Sequence, residues 1–256
     1  MGNLTRVRIS VTMTTRALLR NRVALLLLFV VPTLFVALIA LITSHRRIVV
    51  ELPSAGVGAL LEMSQRQQGL VFVGLAVVGI LTAFLALDLL QRDAEATRRL
   101  VLCGYRPREI IAARVTVLVA IVMVIASYVA VLVQIVFRPA HPAAMWLGFL
   151  LGGWVYGCYG VLVGALVRRE LEGILLVVLL ANIDVGWVQN PIYYADAQVK
   201  SVIRSLPAHF PSQVSMLAAF TDHPVGAAAL RAFAYGAVLL AVALVVFHRR
   251  MQPGRR

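Results

Sequence analysis

Six long apolar segments constrain this chain more than any other feature of its sequence. They comprise residues 23–43, 70–90, 112–137, 145–167, 171–189 and 226–248. A helix needs about 20 apolar residues to cross the hydrocarbon core of a bilayer. Inside that core, every backbone N–H and C=O must be hydrogen bonded within the protein, which favours helices. The sequence therefore predicts an all-α, polytopic membrane protein with six transmembrane helices.

The composition supports a single membrane domain over residues 23–256. Hydrophobic residues make up 61% of the chain and charged residues only 14%, against about 45–50% and about 25% in soluble domains. No polar stretch is long enough to fold by itself. The net charge of +13 would suggest a nucleic-acid partner in a soluble protein. Here the basic residues flank apolar spans, so we expect the lipid bilayer as partner and no nucleic acid.

Arginines are concentrated on one predicted side of the membrane. They lie in residues 1–22, in the segment between the second and third spans, between the fourth and fifth spans, and after the last span. Because Lys and Arg favour cytoplasmic loops, both termini are predicted to be cytoplasmic. The first apolar run is too long for the core of a cleavable signal, so we expect it to remain as a span.

Residues 1–22 have the pattern of an amphipathic helix lying on the cytoplasmic surface. Apolar and small side chains recur every three or four residues, and most arginines lie elsewhere on the helix. The apolar positions are Leu4, Val7, Val11, Thr14 and Leu18. The alternative is a basic flank that only sets the topology.

The fourth span carries a face of glycines. Gly153, Gly157, Gly160 and Gly164 are spaced by four, three and four residues. Faces of small residues let membrane helices approach closely. This face therefore predicts either helix packing within one subunit or an interface between subunits, and a bulky residue at Gly157 should be harmful in both cases.

Asn182 and Asp184 are polar residues in the predicted fifth span. An ionisable residue within a span indicates a functional site by default, and a cation site or a hydrophilic translocation path would suit Asp184. Alternatively, the helix ends or unwinds near Asn182, which leaves Asp184 at the outer interface. The next segment contains four prolines, and short helices are expected within it at 197–206 and 212–220.

The loop at residues 91–114, QRDAEATRRLVLCGYRPREIIAAR, is the most informative segment. Asp93 and Glu95 precede the basic pair Arg98 and Arg99. Mixed charges of this kind suit docking to another protein better than binding to lipid alone. The alternative is a solvated loop that only sets topology.

Motifs for catalysis are absent from the sequence. The chain has one lysine, Lys200, and it does not follow a glycine, so a P-loop for ATP is excluded. GxSxG and HExxH are also absent, no histidines are paired at metal-ligand spacing, and Cys103 and Cys158 are not expected to pair. We therefore expect no catalytic residue, cofactor or metal in this chain.

The chain resembles the ABC type 2 permease family, the membrane subunits of ATP-binding-cassette transporters. The resemblance rests on RALLRNRVALLLLFVVPTLF at the first span, the acidic-then-basic loop after the second span, the glycine-rich fourth span, and SLPAHFPSQVSMLAAF before the last span. It covers nearly the whole chain, and the order and spacing of the four features carry it. Ala96 departs from the family, in which glycine often precedes the threonine.

The resemblance implies a transport subunit rather than an enzyme. Such subunits pair as homo- or heterodimers in the bacterial plasma membrane and work with two separate ATPase subunits, which bind ATP and Mg²⁺. Most relatives are exporters, and the apolar spans favour a hydrophobic or amphipathic cargo such as a drug, lipid or peptide. The N-terminal helix and the charged loop would receive the stroke of the ATPase. The implied contact residues are Asp93, Glu95, Thr97, Arg98, Arg99, Leu100, Tyr105, Arg106, Pro107 and Glu109.

Three other functions remain open on the sequence. A solitary ion-coupled carrier would depend on ionisable residues in the membrane, of which Asp184 is the main candidate. An intramembrane enzyme would use Asp184 and His209, although no nucleophile with a base is apparent. A membrane anchor for an ATPase, without transport, would have the same sequence pattern.

Overall fold

A computed structural model describes residues 3–51, 60–91, 107–167, 169–189, 194 and 199–251. The described chain is mainly helical, with one two-stranded sheet. In chain order its elements are α1 (Asn3–Arg20), α2 (Arg22–Ile42), β1 (Arg47–Glu51), β2 (Leu60–Ser64), α3 (Gln65–Gln91), α4 (Pro107–Val136), α5 (Pro142–Leu166), α6 (Glu170–Ala181), the π-helix π1 (Asn182–Val188), α7 (Lys200–Arg204), α8 (His209–Phe220) and α9 (Gly226–Met251).

Five of the described helices are long and apolar enough to cross a membrane, as in a multi-pass membrane protein. They are α2, α3, α4 from Ala112, α5, and α9 as far as Phe247. Their positions match five of the six predicted spans. The predicted fifth span, residues 171–189, is different, because its α-helix is only 12 residues long and continues as π1. A 12-residue α-helix rises about 18 Å, which is shorter than the hydrocarbon core.

Helices α3 and α5 run parallel to each other at the centre of the bundle. Gly74 of α3 lies against Phe149 of α5, and nine residues later Ala83 lies against Gly160. Most of both helices is buried, whereas α2 and α9 leave most of their apolar side chains exposed. Apolar residues exposed along a span are the surface that lipid or a second membrane subunit covers.

Helix α4 runs in the opposite direction to α5. Its residues Leu118 and Val122 contact Gly157 and Gly153 respectively, so the residue numbers rise in opposite directions along the two helices. We call the end of the bundle where α3 and α5 begin the hairpin end. The end where α3 finishes and α4 begins is called the loop end.

Helix α9 runs parallel to α5. Phe233 stacks on Trp154 with ring centroids 5.7 Å apart, and further along both helices Ala243 belongs to the same apolar cluster as Val161. Because α5 and α9 point the same way, the chain between them must return from the loop end to the hairpin end. We call residues 170–220 the return segment.

The hairpin of β1 and β2 is an element that the all-α prediction missed. Its strands are antiparallel, with Ile48 opposite Met63 and Val50 opposite Leu61. These four apolar side chains share one face and pack on the main core of the bundle. Each strand has only five residues, so the alternation of apolar and polar side chains along it is too short to indicate a strand by itself. The strands are recognised only from the apolar surface of the bundle that they cover.

The N-terminal helix α1 packs mainly against α4. Val11 and Leu18 join the core cluster that includes Val117 of α4, whereas Arg8 and Arg16 are exposed. Val11 and Leu18 of α1 thus lie on the bundle, and Arg8 and Arg16 point away from it. Its predicted place on the cytoplasmic surface stays a prediction.

Candidate functional site

Asp184 lies at a break in the return segment. The backbone N–H of Gln189 donates to the carbonyl of Asp184 over 2.9 Å, a bond across five residues that marks a π-helical turn. Short π-helical turns inside helices are frequent at functional sites. The alternative expectation from the sequence was that the helix ends or unwinds near Asn182, and the helix changes to π1 at that residue.

The carboxylate of Asp184 is fully buried and ties three elements together. One of its oxygens, Oδ2, accepts a hydrogen bond of 2.6 Å from the hydroxyl of Tyr156 in α5. The same oxygen accepts a bond of 2.8 Å from the backbone N–H of Ala208, which precedes α8. The other oxygen, Oδ1, is buried and has no hydrogen-bond partner among the described residues. Two donors on one oxygen hold π1 against both α5 and α8.

Gln189 extends this polar cluster toward α7 and α8. Its side-chain Nε2 donates to the carbonyl of Ile203 over 2.8 Å. The other amide atom, Oε1, therefore accepts from Nδ1 of His209, 3.3 Å away. His209 is buried, with its ring stacked near Tyr194. We call Tyr156, Asp184, Gln189, Ala208 and His209 the polar junction.

The polar junction lies about halfway along the bundle. Tyr156 is near the middle of α5, which extends from Pro142 to Leu166. On the side of the loop end, Gly173 of α6 lies against Leu87 and Gln91 at the end of α3. The return segment therefore reaches the polar junction from the loop end through α6 and π1.

Helix α8 covers the remaining half of the bundle. Its carbonyls at Ala218 and Ala219 accept backbone hydrogen bonds of 2.8 and 3.0 Å from His141 and Ala140, which precede α5 at the hairpin end. The return segment thus traverses the whole bundle in two short helices, α6 and α8. Asp184 lies where they meet, and the N–H at the start of α8 points at its carboxylate.

Asn182 and Asp184, which were predicted to lie on one translocation path, have different surroundings. The side chain of Asn182 is exposed and donates to the carbonyl of Val178 over 2.8 Å. Asp184 is instead buried among Tyr156, Gln189 and Ala208. Tyr156 was not predicted to belong to this site, although a tyrosine in the middle of an apolar span needs a partner for its hydroxyl.

The structure places Asp184 and His209, the pair considered for an intramembrane enzyme, on either side of Gln189. The imidazole of His209 is hydrogen bonded to Gln189, and the hydroxyl of Ser212 donates to the backbone carbonyl of His209 rather than to its ring. Among the described residues, no three His, Cys, Asp or Glu side chains are grouped so that they could bind a metal ion.

The glycine face of α5 packs inside the chain. Gly153 and Gly157 lie against α4, and Gly160 and Gly164 lie against α3. The contact at Gly160 is made by backbone, since an added Cβ atom would lie 2.9 Å from both the carbonyl carbon and the Cα of Ala83. A role of this face between subunits stays a prediction.

Most of the charged loop lies outside the described residues. This applies to Asp93, Glu95, Thr97, Arg98, Arg99, Leu100, Tyr105 and Arg106. Pro107 is the first residue of α4, and Glu109 lies in its first turn. The loop therefore leads directly into the helix on which α1 packs.

No protein-family model matches this chain, and no curated protein matches it.

Proposed function

We propose that this chain is the membrane-spanning permease subunit of an ATP-driven transporter of the ABC type, coupled to a separate ATPase. The cargo class we favour is a hydrophobic or amphipathic compound that is exported. The proposal rests on the family resemblance of the sequence and on one observation of the structure, the packing of α1 along α4.

That packing brings the two segments proposed to contact the ATPase onto one helix. Helix α4 begins at Pro107, inside the charged segment of residues 91–114, and α1 lies along it. Helix α4 also packs on α3 and α5 at the centre of the bundle. A displacement of the loop would therefore pass through α4 into the packed core, which is how a stroke from a bound ATPase would reshape the bundle.

Charge reversal in the loop tests the docking role. Arg98→Glu with Arg99→Glu should reduce co-purification of the ATPase by about tenfold or more, since like charges juxtaposed across an interface cost several kcal/mol. The measurement is affinity purification from the native membrane, with mass spectrometry and an ATPase assay. Arg249→Glu with Arg250→Glu, the same charge change after the last span, should leave co-purification unchanged.

Two results would count against this proposal. One is a wild-type chain that purifies alone, without a P-loop protein or ATP hydrolysis, in mild detergent. The other is equal recovery of the ATPase with both double variants, which would place its contact elsewhere on the chain.

We further propose that the return segment is a sixth, discontinuous crossing of the membrane. Backbone that is not α-helical is tolerated at membrane depth only where protein or a cavity covers it, and Asp184 in π1 is fully buried. The opposite directions of α6 and α9 along the bundle support the same proposal. Six crossings would put both termini on one side of the membrane.

Labelling with a membrane-impermeant maleimide tests this topology. In a background with Cys103→Ser and Cys158→Ser, we expect Thr12→Cys and Arg249→Cys to be protected in intact cells. The exposed His223→Cys at the hairpin end should be labelled. Labelling of only one of the two terminal positions would indicate an odd number of crossings and refute the discontinuous sixth span.

A solitary ion-coupled carrier is the second candidate, favoured by the buried carboxylate of Asp184 at the meeting of two short helices. Discontinuous helices often form ion and substrate sites near the midplane in such carriers. Purified chain in liposomes, without any ATPase, would then move cargo in response to an ion gradient. The Asp184→Asn variant would abolish that transport. If the wild type shows no gradient-driven transport, the carrier is excluded and the permease proposal remains.

A further inference from the structure

Helix α9 carries a single charged residue, Arg231, within the part that is long and apolar enough to cross a membrane. Every other residue from Gly226 to Phe247 is uncharged. The side chain of Arg231 is exposed, and its neighbours Leu230 and Phe233 are exposed apolar residues. A cation therefore faces outward from an apolar helix.

Arg231 lies close to the middle of the bundle. Phe233, two residues later, stacks on Trp154 with ring centroids 5.7 Å apart, and Trp154 is the middle residue of α5, which extends from Pro142 to Leu166. A rise of about 1.5 Å per residue places the Cα atom of Arg231 about 3 Å from that level. The hydrocarbon core extends about 15 Å to either side of its midplane, so Arg231 begins deep within it.

The guanidinium of Arg231 contacts the ring of Phe210, in the first turn of α8. Cζ of Arg231 lies 6.0 Å from the ring centroid, at the outer limit of cation–π attraction. Among the described residues it has no ion pair and no hydrogen bond, although a guanidinium has five N–H donors. A charged side chain inside a span almost always faces the bundle interior or a water-filled cavity. The exposed side of Arg231 therefore borders a polar space rather than lipid tails.

The surroundings of Arg231 combine positive charge with apolar surface. One helical turn after Arg231, the hydroxyl of Tyr235 donates to the carbonyl of Ser205 over 3.0 Å. This bond brings Arg204, the exposed residue before Ser205, to the same side of α9. Val202, also in α7, leaves more than half of its apolar side chain exposed there. A ligand at this place meets guanidinium groups and apolar side chains together.

We propose that Arg231 binds the anionic head of an amphipathic cargo. The inference rests on the proposed export of such a compound and narrows its class to an acidic amphiphile with a carboxylate or phosphate head. Both heads accept two parallel hydrogen bonds from a guanidinium. The apolar tail then lies against the exposed apolar residues of α9. Pairing with an anion offsets the cost of holding the charge of Arg231 at this depth.

Fluorescence titration of the purified chain in uncharged detergent tests the site without any ATPase. The probe is dansyl-labelled undecanoic acid, and its methyl ester is the uncharged reference. We expect saturable binding of the acid, with the ester bound about tenfold more weakly, because the ester cannot form a hydrogen bond between charged groups. Arg231→Gln should weaken binding of the acid by about tenfold and leave binding of the ester unchanged.

Arg46→Gln is the matched control, because it removes the same charge from an exposed arginine at the hairpin end. The backbone carbonyl of Arg46 accepts from the N–H of Gln65 at the start of α3. This variant should change the affinity for the acid by less than about twofold, since distant surface charges are screened. Arg231→Lys keeps the charge and should retain the preference for the acid over the ester. It keeps the test decisive if Arg231→Gln fails to fold.

Equal binding of acid and ester by the wild type overturns the inference. Unchanged binding of the acid by Arg231→Gln also overturns it, and a simultaneous loss of dimer in size-exclusion chromatography would assign Arg231 to a contact between two copies. Nanodiscs of phosphatidylcholine, with and without phosphatidylglycerol, provide a third comparison. Loss of acid binding when phosphatidylglycerol is present would assign the guanidinium to bilayer headgroups and overturn the role in cargo binding. A chain that binds the acid through Arg231 but co-purifies no ATPase would uphold this site and refute the permease.

Discussion

Gly160→Ala should destabilise the protein by about 3 kcal/mol, the upper part of the range for overpacked cores. The added methyl group would collide with the backbone of Ala83, including its carbonyl oxygen, and backbone within a packed helix cannot rotate away as a side chain does. Helices α3 and α5 would have to separate along the centre of the bundle. For a chain of this size, the midpoint of thermal unfolding should fall by about 6–12 °C.

Gly157→Ala is the matched control on the same face of α5. There the new methyl group would lie 3.2 Å from Cδ1 of Leu118, the end of a flexible side chain. Alanine also favours the helix by about 1 kcal/mol over glycine. We therefore expect an unfolding midpoint close to that of the wild type. Equal midpoints for the two variants would mean that α3 and α5 are not in backbone contact at Gly160.

Asp184→Leu is expected to destabilise the protein by about 4 kcal/mol. Leucine would leave the hydroxyl of Tyr156 and the N–H of Ala208 buried without an acceptor, and each orphaned group costs about 1–3 kcal/mol. Asp184→Asn keeps an oxygen that can accept both bonds. It should cost less than half as much. The measurement is thermal unfolding in detergent. The quantity recorded at each temperature is the fraction of protein that is still monodisperse.

Tyr156→Phe provides the companion measurement, because it removes one donor and leaves the carboxylate in place. We expect a loss of about 1.5–3 kcal/mol, typical of one hydrogen bond to a charged group. A stable Asp184→Leu variant would show that the polar junction does not hold the return segment. A stable Asp184→Asn variant without transport would show that the carboxylate does more than join α5, π1 and α8.

The sequence determined the helical class and the positions of five spans. A run of about 20 apolar residues has few alternatives in a bilayer, since its backbone must bond to itself. The limits of those helices follow from local composition. They are accordingly close to the predicted ones at α2 and α9 and within five residues at the start of α3.

Tertiary structure decided how the predicted fifth span is built. Its apolar composition continues through Asn182, yet the helix changes to π1 there and α8 covers the rest of the bundle. This break is stabilised by the contacts of Asp184 with Tyr156 and Ala208, which lie 28 and 24 residues away from it in the sequence. The length of an apolar segment carries no information about such contacts. The sequence could therefore identify Asp184 as unusual within a span, but not as buried.

The same distinction applies to the glycines and to the hairpin. Periodicity placed Gly157 and Gly160 on one face of a helix, because that depends only on the turn of the helix itself. Which of them meets the backbone of Ala83 and which meets a flexible leucine depends on how α5 sits between α3 and α4. The hairpin likewise forms because Val50 and Met63 pack on an apolar surface of the bundle. Several helices build that surface together, so no single segment of the sequence indicates it.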